Sequence, residues 1–284
     1  MGTLYLVSTP IGNLGDITRR AAETLGTVSR VLAEDTRRTR TLLNHLNLST
    51  PLVSLHAHNE ASRTETVLAW LASGEELALV SDAGTPLVSD PGKRIAEAVM
   101  EAGFPVVPIP GPSAVLAALV ASGFSGDRFS FLGFLPRKGP ERAELLDRIS
   151  VSPDPVVLFE SPERVKALLD ALMESCGRER PVAVARELTK LHEEFVRDTL
   201  EGARAHFETH PPRGEFVLVV SGMPETGDTG AVDEGAARAL AQSLLNEGLS
   251  PSRAAKEVAR RLKLPRNLSY EVVQGLSRER TGTE

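Results

Sequence analysis

The chain has 284 residues, a net charge of −6 and one cysteine. This length exceeds one typical core and predicts two domains with a small third, and Cys176 alone excludes a disulfide framework and any CxxC motif. The acidic balance and the 4% aromatic content argue against an extended nucleic-acid-binding face, so any such contact must be local. We expect a soluble, cytoplasmic protein, because no basic-then-apolar leader and no membrane-length apolar run is present.

The first part of the chain alternates β-rich runs with helical patterns, which is typical of βα units and a largely parallel sheet. In chain order the pattern predicts strand 4–8, helix 17–25, strand 30–33, helix 38–46, helix 60–72, strand 77–80, helix 93–102 and strand 105–109. The next segment, 110–122, begins PGPSA and continues apolar. We expect a helix here with Pro112 near its start and Ser113 as its cap, so that its free amides face a pocket.

Composition shifts at residues 122–128, so we place the first domain at 1–122 and the second at 123–223. In the second domain the pattern predicts strands 130–132, 156–159, 182–185 and 216–220, with helices between them, notably 164–173. The polar segment 224–230 predicts a linker. Beyond it we expect a small helical domain, 231–284, with helical patterns at 236–245, 252–262 and 270–276.

The segment Ser81 to Gly92, SDAGTPLVSDPG, is the strongest candidate for a ligand-facing loop. Open α/β sheets bind small molecules at the carboxyl ends of their strands, where this segment follows strand 77–80. Gly84 permits close approach of the backbone to a ligand, while Asp82 and Asp90 offer carboxylates to hydroxyls or a cation. The alternative is a well-capped strand-to-helix connection.

Two further segments place charged side chains at predicted strand ends in the second domain. Residues 159–164 read FESPER and residues 185–190 read ARELTK. We expect their charges to converge on one edge of a sheet, where they could hold an anionic substrate and move a proton. The alternative for each segment is a surface ion pair.

Several well-known motifs are absent from the sequence, namely the GxGxxG fingerprint, the GxxxxGK[ST] phosphate loop, the GxSxG elbow and HExxH. His56 and His58 in LHAHNE are expected to share one face of a strand and to form hydrogen bonds in a cleft. Paired imidazoles can also bind a metal, but no third ligand is evident and no metal site is predicted.

The helical patterns near the carboxyl terminus carry the densest positive cluster of the chain, which we call the basic cluster. Its members are Arg253, Lys256, Arg260, Arg261, Lys263 and Arg266. The pattern resembles a helix-turn-helix weakly. It favours either RNA contact or a solvated helix face.

Eight segments carry a resemblance to a known family. They are TPIGNLGDIT (9–18), AEDTRRT (33–39), HAHNE (56–60), SDAGTPLVSDPG (81–92), PGPSA (110–114), FLGFLPRKG (131–139), ARELTKLHEE (185–194) and RGEFVLVV (213–220). Together they resemble the tetrapyrrole methylase superfamily of S-adenosylmethionine enzymes. Within it they resemble the small-subunit ribosomal RNA methyltransferases that modify the ribose 2'-hydroxyl of a cytidine in the decoding region of 16S rRNA. One departure is Phe159 and Glu163, where the family commonly shows Tyr and His.

The resemblance implies two α/β domains of the tetrapyrrole methylase type with S-adenosylmethionine in the cleft between them. It also implies 16S rRNA, within the 30S subunit, as substrate and a homodimer as the assembly. The cofactor contacts that it implies are Pro10, Ile11, Gly12, Asp82, Ala83, Gly84, Thr85, Ser113, Ala114, Phe159, Arg186 and Phe216.

Methyl transfer is an in-line displacement, so the protein mainly orients the reactants, excludes water and removes the hydroxyl proton. Lys190, Glu187 and Glu34 are candidates for the base, and the sequence does not choose among them. A neutral Lys190 would need burial or a like-charged neighbour such as Arg186.

Two other functions stay open at this point. A methyltransferase acting on a small tetrapyrrole would not need the basic cluster. A non-catalytic RNA-binding or assembly protein would not need intact cofactor loops.

Overall fold

The computed structural model describes residues 1–223, 234–262, 264 and 266–281. The predicted linker 224–230, Lys263 and the side chain of Arg266 lie outside the described residues. Within the described part, every helix is too short or too polar to cross a membrane.

The first sheet is entirely parallel, as the sequence predicts, with the order β3-β2-β4-β1-β5. Its elements are β1 (Leu4–Val7), α1 (Arg19–Thr27), β2 (Arg30–Ala33), α2 (Thr36–His45), β3 (Leu52–Ser54), α3 (Glu60–Ala72), β4 (Leu77–Val80), α4 (Lys93–Glu101) and β5 (Val106–Ile109). Apolar clusters cover both faces, which explains why β4 is a continuous apolar run. The loops after β1, β4 and β5 therefore leave neighbouring strands at one edge.

The second sheet is mixed, in contrast to the entirely parallel first sheet. Its order is β6-β7-β10-β8-β9, and β10 runs antiparallel to both of its neighbours. Its elements are β6 (Ser130–Phe134), α6 (Pro140–Ser150), β7 (Val156–Glu160), α7 (Val165–Cys176), β8 (Pro181–Arg186), β9 (Glu194–Thr199), α8 (Leu200–Thr209) and β10 (Phe216–Val220). Because β7 and β8 are parallel to each other, their carboxyl ends lie at the same edge as the start of β10.

The helix α5 (Ala114–Ser122) joins the two sheets. It follows β5 in the chain, but Val115 and Leu119 pack on Val157 and Val219 of the second sheet. The helices α6, α7 and α8 cover the opposite face of that sheet. The domain boundary at residue 122 stays a prediction. It places α5 in the first domain, although this helix packs on the second sheet.

Three helices form the carboxyl-terminal bundle: α9 (Glu234–Asn246), α10 (Pro251–Leu262) and α11 (Arg266–Thr281). They share an apolar core, and α11 is longer than the predicted helix at 270–276. The bundle is anchored on α6 through Asp147, which accepts a hydrogen bond from Ser252 at 2.9 Å and pairs with Lys256 at 2.5 Å.

Candidate active site

A cavity of about 360 Å³ opens between the two sheets, and we call it the main cavity. Its walls come from the loops after β4 and β5, the first turn of α5, the end of β6, the residues after β7 and the start of β10. A second cavity of about 350 Å³ shares Ile11, Arg38, Asp82, Ala83 and Glu215 with it. The two cavities therefore adjoin one another at the sheet edge where ligands of open α/β sheets bind.

The wall from the first domain is built from loops that are bonded to each other. Thr9 and Gly84 exchange two backbone hydrogen bonds of 2.9 and 3.0 Å, and the Thr85 hydroxyl donates to the Pro112 carbonyl at 3.4 Å. Gly84 has φ +81°, and a Cβ there would lie 3.3 Å from a methyl of Ile11. Only glycine suits this conformation and this close approach.

The first turn of α5 lines the main cavity, and the helix begins at the cap that PGPSA predicts. The Ser113 hydroxyl caps the helix by accepting from the Leu116 amide at 3.4 Å. Ala114 and Val115 line the cavity, and amides in a first turn have no partner within the helix. They are available to polar ligand atoms.

Asp82 lies at the centre of an acidic group. One of its oxygens accepts from the Asp35 amide at 2.9 Å, and the other lies 3.7 Å from Arg38. Burial and then the negative charge of Glu34 raise the pKa of Asp90 to about 6. Burial and then the charge of Asp82 raise the pKa of Glu34, which lines neither cavity, whereas Asp90 lines the main one.

Lys190 is an ammonium ion held by two carboxylates. Its Nζ lies 2.8 Å from Glu187 and 3.2 Å from Glu215. Burial alone would lower the pKa of Lys190, but the hydrogen bond to Glu187 and the charge of Glu215 raise it overall. The idea that Arg186 makes Lys190 neutral is wrong, because the Arg186 guanidinium donates instead to the Arg213 carbonyl at 2.7 Å and pairs with Glu194 at 3.1 Å.

The Lys190 loop also forms the junction between the two domains. A Cβ on Gly12 would lie 2.5 Å from Cγ of Lys190 and 3.0 Å from the Leu188 carbonyl oxygen. The Asn13 amide donates to the Thr189 hydroxyl at 3.1 Å. Thr189 adopts a left-handed φ of 65°, which is costly for a β-branched residue and shows that neighbouring contacts impose the loop conformation.

Most of the predicted cofactor residues meet around the cavities. Those that line the main cavity are Ile11, Asp82, Ala83, Gly84, Thr85, Ser113, Ala114, Phe159 and Phe216, while Pro10 and Gly12 line the second. Arg186 lines neither. Arg186 at the end of β8 and Glu160 at the end of β7 both pair with Phe216 at the start of β10. This register explains why ARELTK and FESPER lie at one edge of the sheet.

Among the base candidates, Lys190 lines the second cavity, while Glu187 and Glu34 line neither. Sequence reasoning missed Arg38 and Glu215, which line both cavities, and Phe134, which lines the main one. It also left Asp90 out of the base candidates. Arg38, Phe134 and Glu215 stand within motifs of the family resemblance, but no side-chain pattern marked them individually. Asp90 was predicted as a possible ligand carboxylate and not as a base.

The prediction that His56 and His58 share a strand face is wrong. The strand β3 ends at Ser54, and both histidines lie in the following turn with ring centroids 6.0 Å apart. In the same motif Glu60 stabilises the start of α4, because its carboxylate accepts a hydrogen bond from the Ile95 amide in the first turn of that helix at 3.1 Å. Among the described residues, no three potential ligands come together around a metal-sized position.

The basic cluster is largely paired where the structure describes it. Lys256 binds Asp147, and Arg260 and Arg261 both bind Glu257 at 2.6 Å. Arg253 is exposed on α10. The surface is therefore less positive than the sequence indicates.

The fold places a cleft between two α/β sheets, with loops from both sheets in its walls. The family model of the Tetrapyrrole (Corrin/Porphyrin) Methylases matches residues 3–203, and the chain belongs to this family. The predicted family and fold class are confirmed.

The chain is also similar to curated relatives called ribosomal RNA small subunit methyltransferase I. The one from Synechocystis sp. is 48% identical over 96% of this chain and 97% of the relative. The one from Thermotoga maritima is 47% identical over 78% of this chain and 99% of the relative.

Solved structures share the fold at low identity. A cobalt precorrin-4 methyltransferase has a TM-score of 0.62 and 18% identity, with 77% of this chain and 94% of that chain covered. A uroporphyrin-III C-methyltransferase from Thermus thermophilus, complexed with S-adenosyl homocysteine, has a TM-score of 0.57 and 18% identity, with 77% and 97% covered.

Proposed function

We propose that this protein transfers a methyl group from S-adenosylmethionine to the ribose 2'-hydroxyl of a cytidine in the decoding region of 16S rRNA. The observation that carries the proposal is the similarity, at 48% identity over nearly the whole of both chains, to a ribosomal RNA small subunit methyltransferase I. The main cavity supports it, since the residues of the matching motifs line one cleft.

The residues of the main cavity fit such a methyl donor, which supplies an electrophilic methyl group on a sulfonium centre. We propose that Asp82 takes its positively charged part and that the amides of Ala114 and Val115 take its polar atoms. Ile11 and the aromatic ring of Phe159 provide apolar surface for the rest, and Phe216, whose ring is buried against Phe207, closes the wall with its backbone. These residues exclude water and fix the orientation of the two reactants.

The transferred methyl group needs an oxygen nucleophile, so a group must accept the hydroxyl proton. We propose Asp90 for this task, because it lines the main cavity and a pKa of about 6 is close to neutral pH. Glu187 is a weaker candidate, since its pKa is lowered: burial would raise it, but the hydrogen bond from Lys190 and further contacts lower it more. We propose that Lys190, as an ammonium ion, stabilises negative charge on the substrate oxygen.

We further propose that the substrate is the 30S subunit, that the protein acts in the cytoplasm as a homodimer, and that the carboxyl-terminal bundle holds ribosomal RNA. Arg253 supplies an exposed cation on the bundle. Support for a dimer comes from α5, where Leu116 and Val120 lie one turn apart and are 52% and 80% exposed. Apolar side chains so placed suit a self-complementary contact.

A methyl-transfer assay with isotopically labelled S-adenosylmethionine tests the proposal. We expect label on 30S subunits, and a single cytidine of the decoding region should become resistant to alkaline cleavage on its 3' side. A porphyrinoid should take no label. Label on the porphyrinoid and none on 30S subunits or free 16S rRNA would replace the proposal with tetrapyrrole methylation.

A further inference from the structure

An irregularity in β6 turns an aromatic side chain toward the main cavity. Phe131 pairs with Val157, but the next pairing is Gly133 with Leu158, so β6 carries one extra residue. Such a bulge reverses the alternation of side chains along a strand. Without it, Phe134 would point to the face covered by α6, α7 and α8, whereas its ring lies 5.6 Å from the Phe159 ring.

Gly133 makes this bulge possible. It has φ +62°, and a Cβ would lie 3.1 Å from the Ser89 hydroxyl of the first domain. The bulge thus lies where the two domains approach each other, beside the loop that carries Asp90. An aromatic ring is placed at this point by a backbone conformation that favours glycine.

The Phe134 ring is large, apolar and open to solvent. It is 54% exposed, although it lines the main cavity, and Val88 of the same cavity is 38% exposed. In the described part of the chain, most large apolar side chains are buried in the sheet cores. An exposed aromatic ring at the mouth of a cavity offers a stacking surface to a planar ligand.

Two cations follow this ring. Arg137 and Lys138 are exposed, and neither forms an ion pair with any residue that the structure describes. Three residues of chain span at most about 11 Å, so Arg137 stays close to Phe134. The side chains on this part of the chain combine one stacking surface with two uncompensated positive charges.

A partly buried hydrogen-bond network fixes the chain that presents these groups. The Arg164 guanidinium donates to the Leu135 carbonyl at 2.6 Å and lies 3.2 Å from Glu160, whose side chain is fully buried. The Arg142 guanidinium donates to the Pro136 carbonyl at 2.9 Å. Both carbonyls between Phe134 and Arg137 are therefore held, so the ring and the cations keep a defined spacing.

We propose that Phe134, Arg137 and Lys138 form a subsite for single-stranded RNA at the mouth of the main cavity. A base of the strand stacks on Phe134, and adjacent phosphates bind Arg137 and Lys138. This inference rests on the proposed function, because it assigns the place where that substrate enters. It also accounts for RNA binding by an acidic protein, since the positive charge is local.

The test measures binding of a fluorescent single-stranded oligoribonucleotide and methyl transfer to 30S subunits by the full chain. Phe134→Ala should raise the dissociation constant of the oligoribonucleotide and the KM for 30S subunits about tenfold, whereas Phe134→Tyr should bind almost normally. Arg137→Ala with Lys138→Ala should reduce the salt slope of binding by about 1.4, from about 0.7 per phosphate. Arg128→Ala is the matched control, because this exposed cation precedes the other end of β6.

Calorimetry with S-adenosylmethionine separates the remaining outcomes. An unchanged cofactor affinity together with weakened RNA binding in Phe134→Ala shows that the variant is folded and that the ring serves the RNA. A weakened cofactor affinity with normal RNA binding would overturn the inference, since the ring would then stack on the adenine. Equal salt slopes for the double variant and Arg128→Ala would overturn it as well. If the wild type binds the oligoribonucleotide through these residues but methylates no RNA, the proposed function fails and the subsite stands.

Discussion

Replacing Asp90 with asparagine should stabilise the folded protein at neutral pH while it removes the proposed proton acceptor. The folded-state pKa of Asp90, about 6, lies above the ordinary value of 3.8. The folded protein therefore binds this proton more tightly than the unfolded chain does. The stabilisation that the wild-type fold gains from binding this proton is fully present below pH 3.8 and is lost as the pH rises through about 6.

The magnitude follows from the size of the shift. About two pKa units at about 1.4 kcal/mol each give an upper limit of about 3 kcal/mol. Asp90 is partly exposed, so solvent screening reduces the free-energy cost of its ionisation in the folded protein to about 1 to 2 kcal/mol at pH 7.5. The asparagine variant gains this amount of stability. At pH 5.0 Asp90 is mostly protonated in the folded wild type, so the stability gained by the variant should be smaller by about 1 kcal/mol.

Urea unfolding of both proteins at pH 5.0 and 7.5 measures this difference. Trp70 is the one tryptophan of the chain and lies on α3 of the first sheet, so its fluorescence follows the unit that contains Asp90. Asp127→Asn, in an exposed loop, is the control. Methyl transfer by the wild type should rise with pH through about 6, and Asp90→Asn should lower turnover about a hundredfold. A stability gain that is independent of pH, or a variant with wild-type turnover, would refute the reasoning.

Three further predictions concern the walls of the cavities. Lys190→Met should lower turnover about a hundredfold with nearly unchanged affinity for S-adenosylmethionine by calorimetry, and a normal rate would remove the ammonium from the mechanism. Asp82→Asn should weaken that affinity tenfold or more, whereas Glu34→Gln, outside both cavities, should leave it unchanged; equal effects would contradict the assignment. Gly12→Ala should cost about 1 to 3 kcal/mol and lower the melting temperature, because the new methyl group meets the Lys190 loop. Gly126→Ala, where the new methyl group would make only an ordinary contact of 3.9 Å with Leu119, is the control, and equal melting temperatures would show that the junction can yield.

The sequence predicts best those elements whose pattern is strong and local. The apolar runs of β4 and β10 and the capped start of α5 stand where they were expected. The short strand β3 was expected too late in the chain, at His56 and His58, because three residues carry too little pattern. The strand β9, EFVRDT, was missed because it lies at the edge of its sheet and is rich in charge.

The cleft could be predicted more completely than the chemistry within it. Glycines and prolines at strand ends mark loops, and loops at one edge of a sheet meet whatever their exact conformation. The protonation of Lys190 and Asp90, by contrast, depends on which carboxylates face them. Glu215 approaches Lys190 from 25 residues away in the chain, and Glu34 approaches Asp90 from a different strand, so no local pattern contains this information.

The position of β10 sets the order in which the site can form during synthesis. This strand is the last of the second sheet in the chain, yet it lies at the centre, between β7 and β8. Until residues 216–220 leave the ribosome, β7 and β8 have no common neighbour, and Phe216 cannot close the wall of the main cavity. The first sheet, complete at Ile109, can fold well before that point. A nascent chain thus carries half of a binding site for the time needed to add about a hundred residues, at about 5 to 20 residues per second.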